Sequence, residues 1–255
     1  MRILIVRHGE PDYTRDCLTE KGKREAELLA ERLRQIPAAA YYVSPLGRAQ
    51  ETAGYTLRQV GREAVTLPWL AEFRGRTVDP VTGKSRIPWD YRAQTWAERP
   101  LLMDRARWTE DELVRVGDTA EIWRETREGM DALLAGHGYH RQGSVYACER
   151  NTEDTLVLFC HFGIGMAVLS YLTNMPPLPM WQSFLCVTSS VTTLITQERV
   201  RGLVEFRCVG LGDISHLLAA GEPPSLAGIY PETYNGVEST DPALWPSHPK
   251  EQILR

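Results

Sequence analysis

Four short stretches of the chain carry side chains that are chemically suited to one another: Arg7-His8-Gly9, Ser44-Pro45-Leu46-Gly47-Arg48, Leu70-Ala71-Glu72 and Cys160-His161-Phe162-Gly163. Together they offer two guanidiniums, two imidazoles and one carboxylate. Arginine presents a planar fork that matches phosphate oxygens two at a time. Imidazole is a competent nucleophile near neutral pH, and a neighbouring carboxyl group can protonate a departing alkoxide. Where cationic side chains neutralise the three oxygens of a phosphoryl group, that chemistry needs no metal ion.

The elements that must bring these residues together can be read from the apolar pattern. Residues Arg2 to Arg7 form a β-branched and aliphatic run without alternation, as in a strand covered on both faces, so the sheet is expected to be parallel there. Thr19 can cap a helix with Ala26, Leu29, Ala30 and Leu33 on one stripe. Tyr41 to Val43 predicts a second strand. Ser44-Pro45 reads as the N-cap and first turn of a second helix, with Arg48 where backbone N–H groups favour an anion. Val65 to Leu67 predicts a third strand, ending near Glu72. Thr155 to Cys160 predicts a fourth, followed by a helix containing Ala167, Val168, Tyr171 and Leu172. Val191 to Thr196 and Val204 to Val209 read as a closing pair of strands. The expected fold class is α/β, three layers in the order α/β/α around a mostly parallel central sheet. In such sheets ligands bind at the carboxyl ends of strands. A single histidine there is commonly a solvated turn residue. That reading weakens when four successive ends deliver Arg7 and His8, Arg48, Glu72 and His161.

Composition sets the outer bounds. With 255 residues, 43% hydrophobic and 24% charged, the chain can bury a core without staples, which excludes disordered and fibrous classes. A net charge of −4 without a long basic run leaves no electrostatic footprint for nucleic acid, so an anionic ligand must be held locally. No apolar run reaches the roughly 20 residues of a membrane span, and a cytoplasmic location is the expectation. The five cysteines are dispersed and odd in number, which points to reduced, mostly buried thiols.

The chain is expected to divide into one α/β domain over residues 1–220, with a cap insertion at about 73–152, and a tail over 221–255 rich in proline and glycine. The insertion holds Arg74, Arg76, Trp89, Tyr91, Arg92, Trp96, Arg99, Arg105, Arg107 and Trp108, followed by an amphipathic helix with Ile122, Trp123, Met130, Leu133 and Leu134. Its aromatic residues could be plain packing or a substrate wall. Gly143 to Cys148 is read as a strand of a surface hairpin. His137 and His140 are taken as a solvated turn rather than a metal pair, and His216 as a structural histidine. Gly163-Ile164-Gly165 lacks the third glycine of a dinucleotide fingerprint, and Cys160 is expected to be buried rather than reactive.

The assembled pieces resemble the phosphoglycerate-mutase-like histidine phosphatases. These are Arg7-His8-Gly9-Glu10, Leu18-Thr19-x-x-Gly22, Ser44-Pro45-Leu46-x-Arg48-Ala49-x-Glu51-Thr52-Ala53, Leu70-x-Glu72 followed by Gly75, His161-x-Gly163, and Ser190-Val191-Thr192. The resemblance implies the fold and a histidine acid phosphatase-type phosphoric monoester hydrolase acting on a small-molecule phosphate ester, with no cofactor and no metal. It implies His8 as the nucleophile that becomes phosphohistidine and Glu72 as general acid and then base. Arg7, Arg48, His161 and Gly163 are the implied phosphate-binding residues, with His161 also assisting catalysis. In the mutases of this family a Ser or Thr and an Asn commonly follow the nucleophile at three and six residues. Pro11 and Thr14 stand there in this chain, which favours a phosphatase over a mutase. A non-catalytic phosphate-binding relative is the remaining alternative, and it sits poorly with five filled positions.

Overall fold

A computed structural model describes residues 1–80, 83–91, 93–230 and 232–233; Arg92 and the tail from 234 to 255 lie outside the described residues. In chain order the elements are β1 (Arg2–Arg7), a small hairpin of β2 (Pro11–Asp12) and β3 (Cys17–Leu18), α1 (Glu20–Leu33), β4 (Ala40–Val43), α2 (Gly47–Val60) and β5 (Val65–Thr66). A second small hairpin, β6 (Thr77–Val78) and β7 (Ser85–Arg86), precedes α3 (Ala93–Trp96) and the long α4 (Thr119–Ala135). Then follow β8 (Tyr139–Gln142), β9 (Val145–Cys148), β10 (Thr155–Cys160), α5 (Phe162–Thr173), α6 (Pro177–Ser183), β11 (Val191–Val200), β12 (Leu203–Asp213) and α7 (Ser215–Ala219).

Eight strands form one sheet in the order β5-β4-β10-β1-β11-β12-β9-β8. The first four run parallel, and from β11 onward the strands are added antiparallel. Register places the site. Arg7 lies opposite Cys160 and Phe159 opposite Val43, so His8, His161 and Ser44 leave three adjacent strands side by side at their carboxyl ends.

Alternation along β1 and β10 divides the core into two layers, as the two-residue period of a strand requires. Leu4, Val6, Val157 and Phe159 pack with Leu29 and Leu33 of α1 and Ala49 and Ala53 of α2. Ile3, Ile5, Leu156 and Leu158 face the opposite cluster, with Ile122, Trp123, Met130 and Leu134 of α4 and Ile164 and Val168 of α5. The fold class is therefore the expected α/β with helices on both faces.

Three local expectations need correcting. Ser44 does not cap α2: the helix starts at Gly47 after Leu46, without a side-chain cap, because the Ser44 hydroxyl is turned inward to His161. The insertion is not all cap. Its second half is a structural layer and a sheet edge: α4 packs on α5, with Trp123 and Tyr171 rings 5.9 Å apart, and β9 pairs with β12. The stripe on α4 needed an apolar partner, and the α5 face supplies it. His140 belongs to strand β8 rather than to a turn, while His137 meets the Tyr42 hydroxyl at 2.7 Å.

His216 on α7 is a structural histidine. It is buried, its Nε2 lies 3.1 Å from the Ser189 hydroxyl, and burial, with Arg32 nearby, lowers its pKa from 6.5 to about 4. The folded state thus resists a proton that the unfolded chain accepts. Relative to His216→Gln, the wild type is expected to lose about 1.4 kcal/mol of stability per pH unit as pH falls from 6.5 towards 4. Urea midpoints of both proteins at pH 7 and pH 5 check this, and parallel curves would reject it.

Candidate active site

His8 is buried at the end of β1. Its Nδ1 lies 2.7 Å from the carbonyl oxygen of Gly9. A carbonyl only accepts, so Nδ1 carries the proton and the lone pair is on Nε2. Burial first, then the positive Arg7 and the neighbouring His161, hold the imidazole well below its ordinary pKa, so it is neutral at pH 7.

The loop that sets this geometry is clamped from every side. Gly9 N–H donates to Thr52 at 3.0 Å, Glu10 N–H to Glu25 at 2.8 Å, and Ser189 N–H to the His8 carbonyl at 2.9 Å. Thr19 caps α1, accepting from Gly22 N–H at 3.0 Å as expected, and its hydroxyl donates to Glu10 at 2.8 Å. The glycine three residues after Thr19 has a steric reason: a methyl group on Gly22 would lie 2.1 Å from the Glu10 carbonyl oxygen.

Around His8 stand three basic groups. The His161 ring centroid is 5.0 Å away. The Ser44 hydroxyl is buried, accepts from Leu46 N–H at 3.2 Å, and has no acceptor for its own proton among the described residues other than His161 Nε2, 2.7 Å away; it therefore donates there, which puts the His161 proton on Nδ1. Burial, then Arg48 and Arg7, lower the His161 pKa from 6.5 to about 2. Arg7 Nη1 donates to the Cys186 carbonyl, and Arg48 Nη1 to Asp16 at 2.5 Å. Asp16 also accepts from Gly47 N–H at 2.6 Å, tying the start of α2 to the loop before α1. Three N–H groups of this cluster are buried and have no partner among the described residues: Arg7 Nε, Arg48 Nε and His161 Nδ1. Buried donors are ordinarily satisfied, so this concentration marks a place for an acceptor.

Glu72 follows the 3-10 turn Pro68–Leu70. Its Oε1 accepts from Phe73 N–H at 2.7 Å and Ile164 N–H at 3.0 Å. Burial raises its pKa, partly offset by these backbone donors, by Gly163 N–H and by Arg7. Gly163, expected among the phosphate-binding residues, lies in the first turn of α5 directly after His161 and Phe162. Its N–H serves Glu72, its carbonyl accepts from Trp181 Nε1 at 2.8 Å, and a methyl group on it would lie 2.3 Å from Trp89.

Beyond the sheet, the segment from Glu222 to Tyr230 runs along the mouth of the site. Lys21 pairs with Glu222 at 2.9 Å, the Ser225 hydroxyl donates to Glu10 at 2.6 Å, and a methyl group on Gly228 would lie 4.0 Å from Arg7 Nη2. Asp16, Glu25, Ser225 and the inward turn of Ser44 carry no sequence signal of their own, and only the aligned strand ends reveal them. Cys160 is fully buried, with its thiol pKa pushed upward by burial. Among the described residues no group of three or more His, Cys, Asp or Glu is arranged to hold a metal ion, and no helix is long and apolar enough to cross a membrane.

A family model, the histidine phosphatase superfamily (branch 1), matches residues 3–208. Among curated proteins, a probable phosphoglycerate mutase GpmB of Yersinia enterocolitica is 27% identical over 144 residues, 52% of this chain and 63% of that protein. A 2,3-bisphosphoglycerate-dependent phosphoglycerate mutase of Thermoplasma acidophilum is 33% identical over 94 residues, 31% of this chain and 47% of that protein. The chain thus spans about half to two thirds of the length of these two relatives. Among solved structures, a phosphoserine phosphatase variant of Entamoeba histolytica in complex with phosphoserine superposes with a TM-score of 0.56 at 19% identity, covering 85% of this chain and 98% of the other. A mycobacterial glucosyl-3-phosphoglycerate phosphatase in complex with inorganic phosphate gives 0.54 at 21% identity, covering 84% and 98%. At these identities the likeness establishes the shared fold.

Because Ser44 fixes which nitrogen of His161 is protonated, Ser44→Ala is expected to weaken binding of inorganic phosphate about tenfold, near the value of one buried hydrogen bond. Titration calorimetry on both proteins reads this directly. Unchanged affinity would mean that His161 keeps its tautomer without the serine.

Proposed function

The chain belongs to the histidine phosphatase superfamily, branch 1, and from that premise we propose that it is a metal-independent phosphomonoesterase that hydrolyses a small phosphorylated metabolite through a phosphohistidine intermediate. The observation that carries the reading is the set of three buried, unpaired N–H donors, on Arg7, Arg48 and His161, beside a neutral His8 whose free lone pair is on Nε2.

In this reading His8 Nε2 attacks phosphorus while Arg7, Arg48 and His161 Nδ1–H donate to the equatorial oxygens and stabilise their developing charge. As the ester P–O bond breaks, Glu72 gives its proton to the departing alkoxide. The resulting Glu72 carboxylate then takes a proton from water, which attacks the phosphohistidine and restores His8. Burial supports the first half of this role, since a carboxyl group with a raised pKa keeps its proton to higher pH. The imidazoles stay neutral for the same reason, so His8 remains nucleophilic.

The mutase-named relatives favour a second reading, transfer of phosphate within phosphoglycerate. Pro11 and Thr14 stand against it, and following whether labelled phosphate goes to water or back onto glycerate separates the two.

His8→Ala is expected to abolish hydrolysis of an aryl phosphate and to lose the acid-labile phosphoprotein trapped by rapid quenching. Retained turnover in that variant would remove the nucleophile assignment. For the wild type, kcat/KM should fall as pH rises through the raised pKa of Glu72, where the acid loses its proton. Glu72→Gln should flatten that limb and slow alkyl esters about a hundredfold or more while affecting esters with good leaving groups much less. Equal slowing across leaving groups would count against the acid role.

A further inference from the structure

The seven tryptophans of the chain do not share one role. Trp108 is fully buried, 5.7 Å from the Trp123 ring and 5.5 Å from that of Trp181, and belongs to the core. Trp89 is partly exposed and stands at the active site. Its six-membered ring and Glu72 Oε1 both come within 3 Å of the point where a side chain on Gly163 would begin. Phe162, also partly exposed, meets Trp89 edge to face at 5.9 Å and lies 5.6 Å from the Arg7 guanidinium. Two aromatic rings therefore bridge from a phosphate-holding arginine to the acid that protonates the leaving group.

Among the described residues, five arginines of the insertion are engaged away from these rings. Arg76 donates to Ser85, Arg86 pairs with Asp79, Arg99 with Asp111 and Glu112, Arg105 with Asn174, and Arg107 with Glu110. These guanidiniums are committed within the chain, while exposed apolar side chains border the basic cluster. Tyr13 lies under Arg48 at 5.4 Å, and Leu185 adjoins the carbonyl that holds Arg7.

We propose that Trp89 and Phe162 form an aromatic slot for the leaving group, with Trp89 as a specificity-determining residue. The slot selects monoesters of an uncharged, ring-bearing alcohol over esters whose alcohol carries a carboxylate. The proposal rests on the phosphomonoesterase reading of the same site. Its physical basis is that a planar apolar group gains by stacking on an indole, whereas a carboxylate against these rings loses hydration while Arg7, the cation beside Phe162, is engaged by the phosphoryl group.

The test compares 1-naphthyl phosphate with 3-phosphoglycerate for the wild type, Trp89→Leu and Trp89→Phe. The wild type should favour the naphthyl ester by about tenfold or more in kcat/KM. Trp89→Leu should raise KM for that ester about tenfold, with a much smaller effect on 3-phosphoglycerate, and Trp89→Phe should keep most of the preference. The proposal is overturned if the wild type favours 3-phosphoglycerate or if Trp89→Leu slows both esters alike. It is equally overturned if the loss lies in kcat, which would make Trp89 a support for Glu72. Should Trp89→Leu fail to fold, the wild-type ratio and the Trp89→Phe ratio decide. His8→Ala separates the two layers: hydrolysis of 1-naphthyl phosphate surviving there sinks the phosphatase reading, whereas its loss together with an unselective Trp89 sinks only the slot.

Discussion

The hydrogen bond from His8 Nδ1 to the carbonyl oxygen of Gly9 fixes which nitrogen of the buried imidazole keeps a free lone pair, and the surrounding contacts hold that loop in place. It is a contact between neighbours in the chain, so it depends on backbone shape alone. The shape is imposed by helix α1 pressing its first turn against Glu10, an approach so close that position 22 has no room for a Cβ. Thr52 and Glu25 then accept from the N–H groups of Gly9 and Glu10, while Thr19 and Ser189 donate to the Glu10 carboxylate and the His8 carbonyl, pairing groups that the tight loop would otherwise leave buried and unsatisfied.

Burial does most of the electrostatic work, and its direction differs by group. It discharges the imidazoles of His8 and His161, and it raises the pKa of the Glu72 carboxyl group. Two guanidiniums beside them cannot be discharged in the same way. A pocket of neutral histidines and permanent cations is poised for an anion. The two arginines reach it from different directions, one anchored on the Cys186 carbonyl and the other on Asp16.

The insertion between β5 and β10 serves two purposes that its composition blends together. From α4 onward it completes the hydrophobic layer and extends the sheet. Before α4 it places Trp89 beside Glu72, while Arg86, Arg99 and Arg107 pair with its own carboxylates. Arginine and tryptophan are abundant in both parts, so composition could not separate a layer from a wall.

Much of the fold and of the candidate site was legible in the chain itself. The unbroken apolar runs at Ile3–Val6 and Leu156–Cys160 specify buried parallel strands, the Leu29 and Leu33 stripe specifies a covering helix, and a polar residue at each strand end marks where a ligand could sit. These features follow from local periodicity, which one strand or helix expresses by itself. The tertiary structure alone decided the rest: Ser44 turning from a helix cap to a partner of His161, Ile164 N–H serving Glu72, Asp16 tying Arg48, Trp89 standing beside Glu72 while Trp108 lies in the core, and Ser225 reaching Glu10. Each joins residues far apart in the chain or chooses between two local partners of similar energy. Such choices are settled by register, burial and the space left after packing, quantities that no single segment contains.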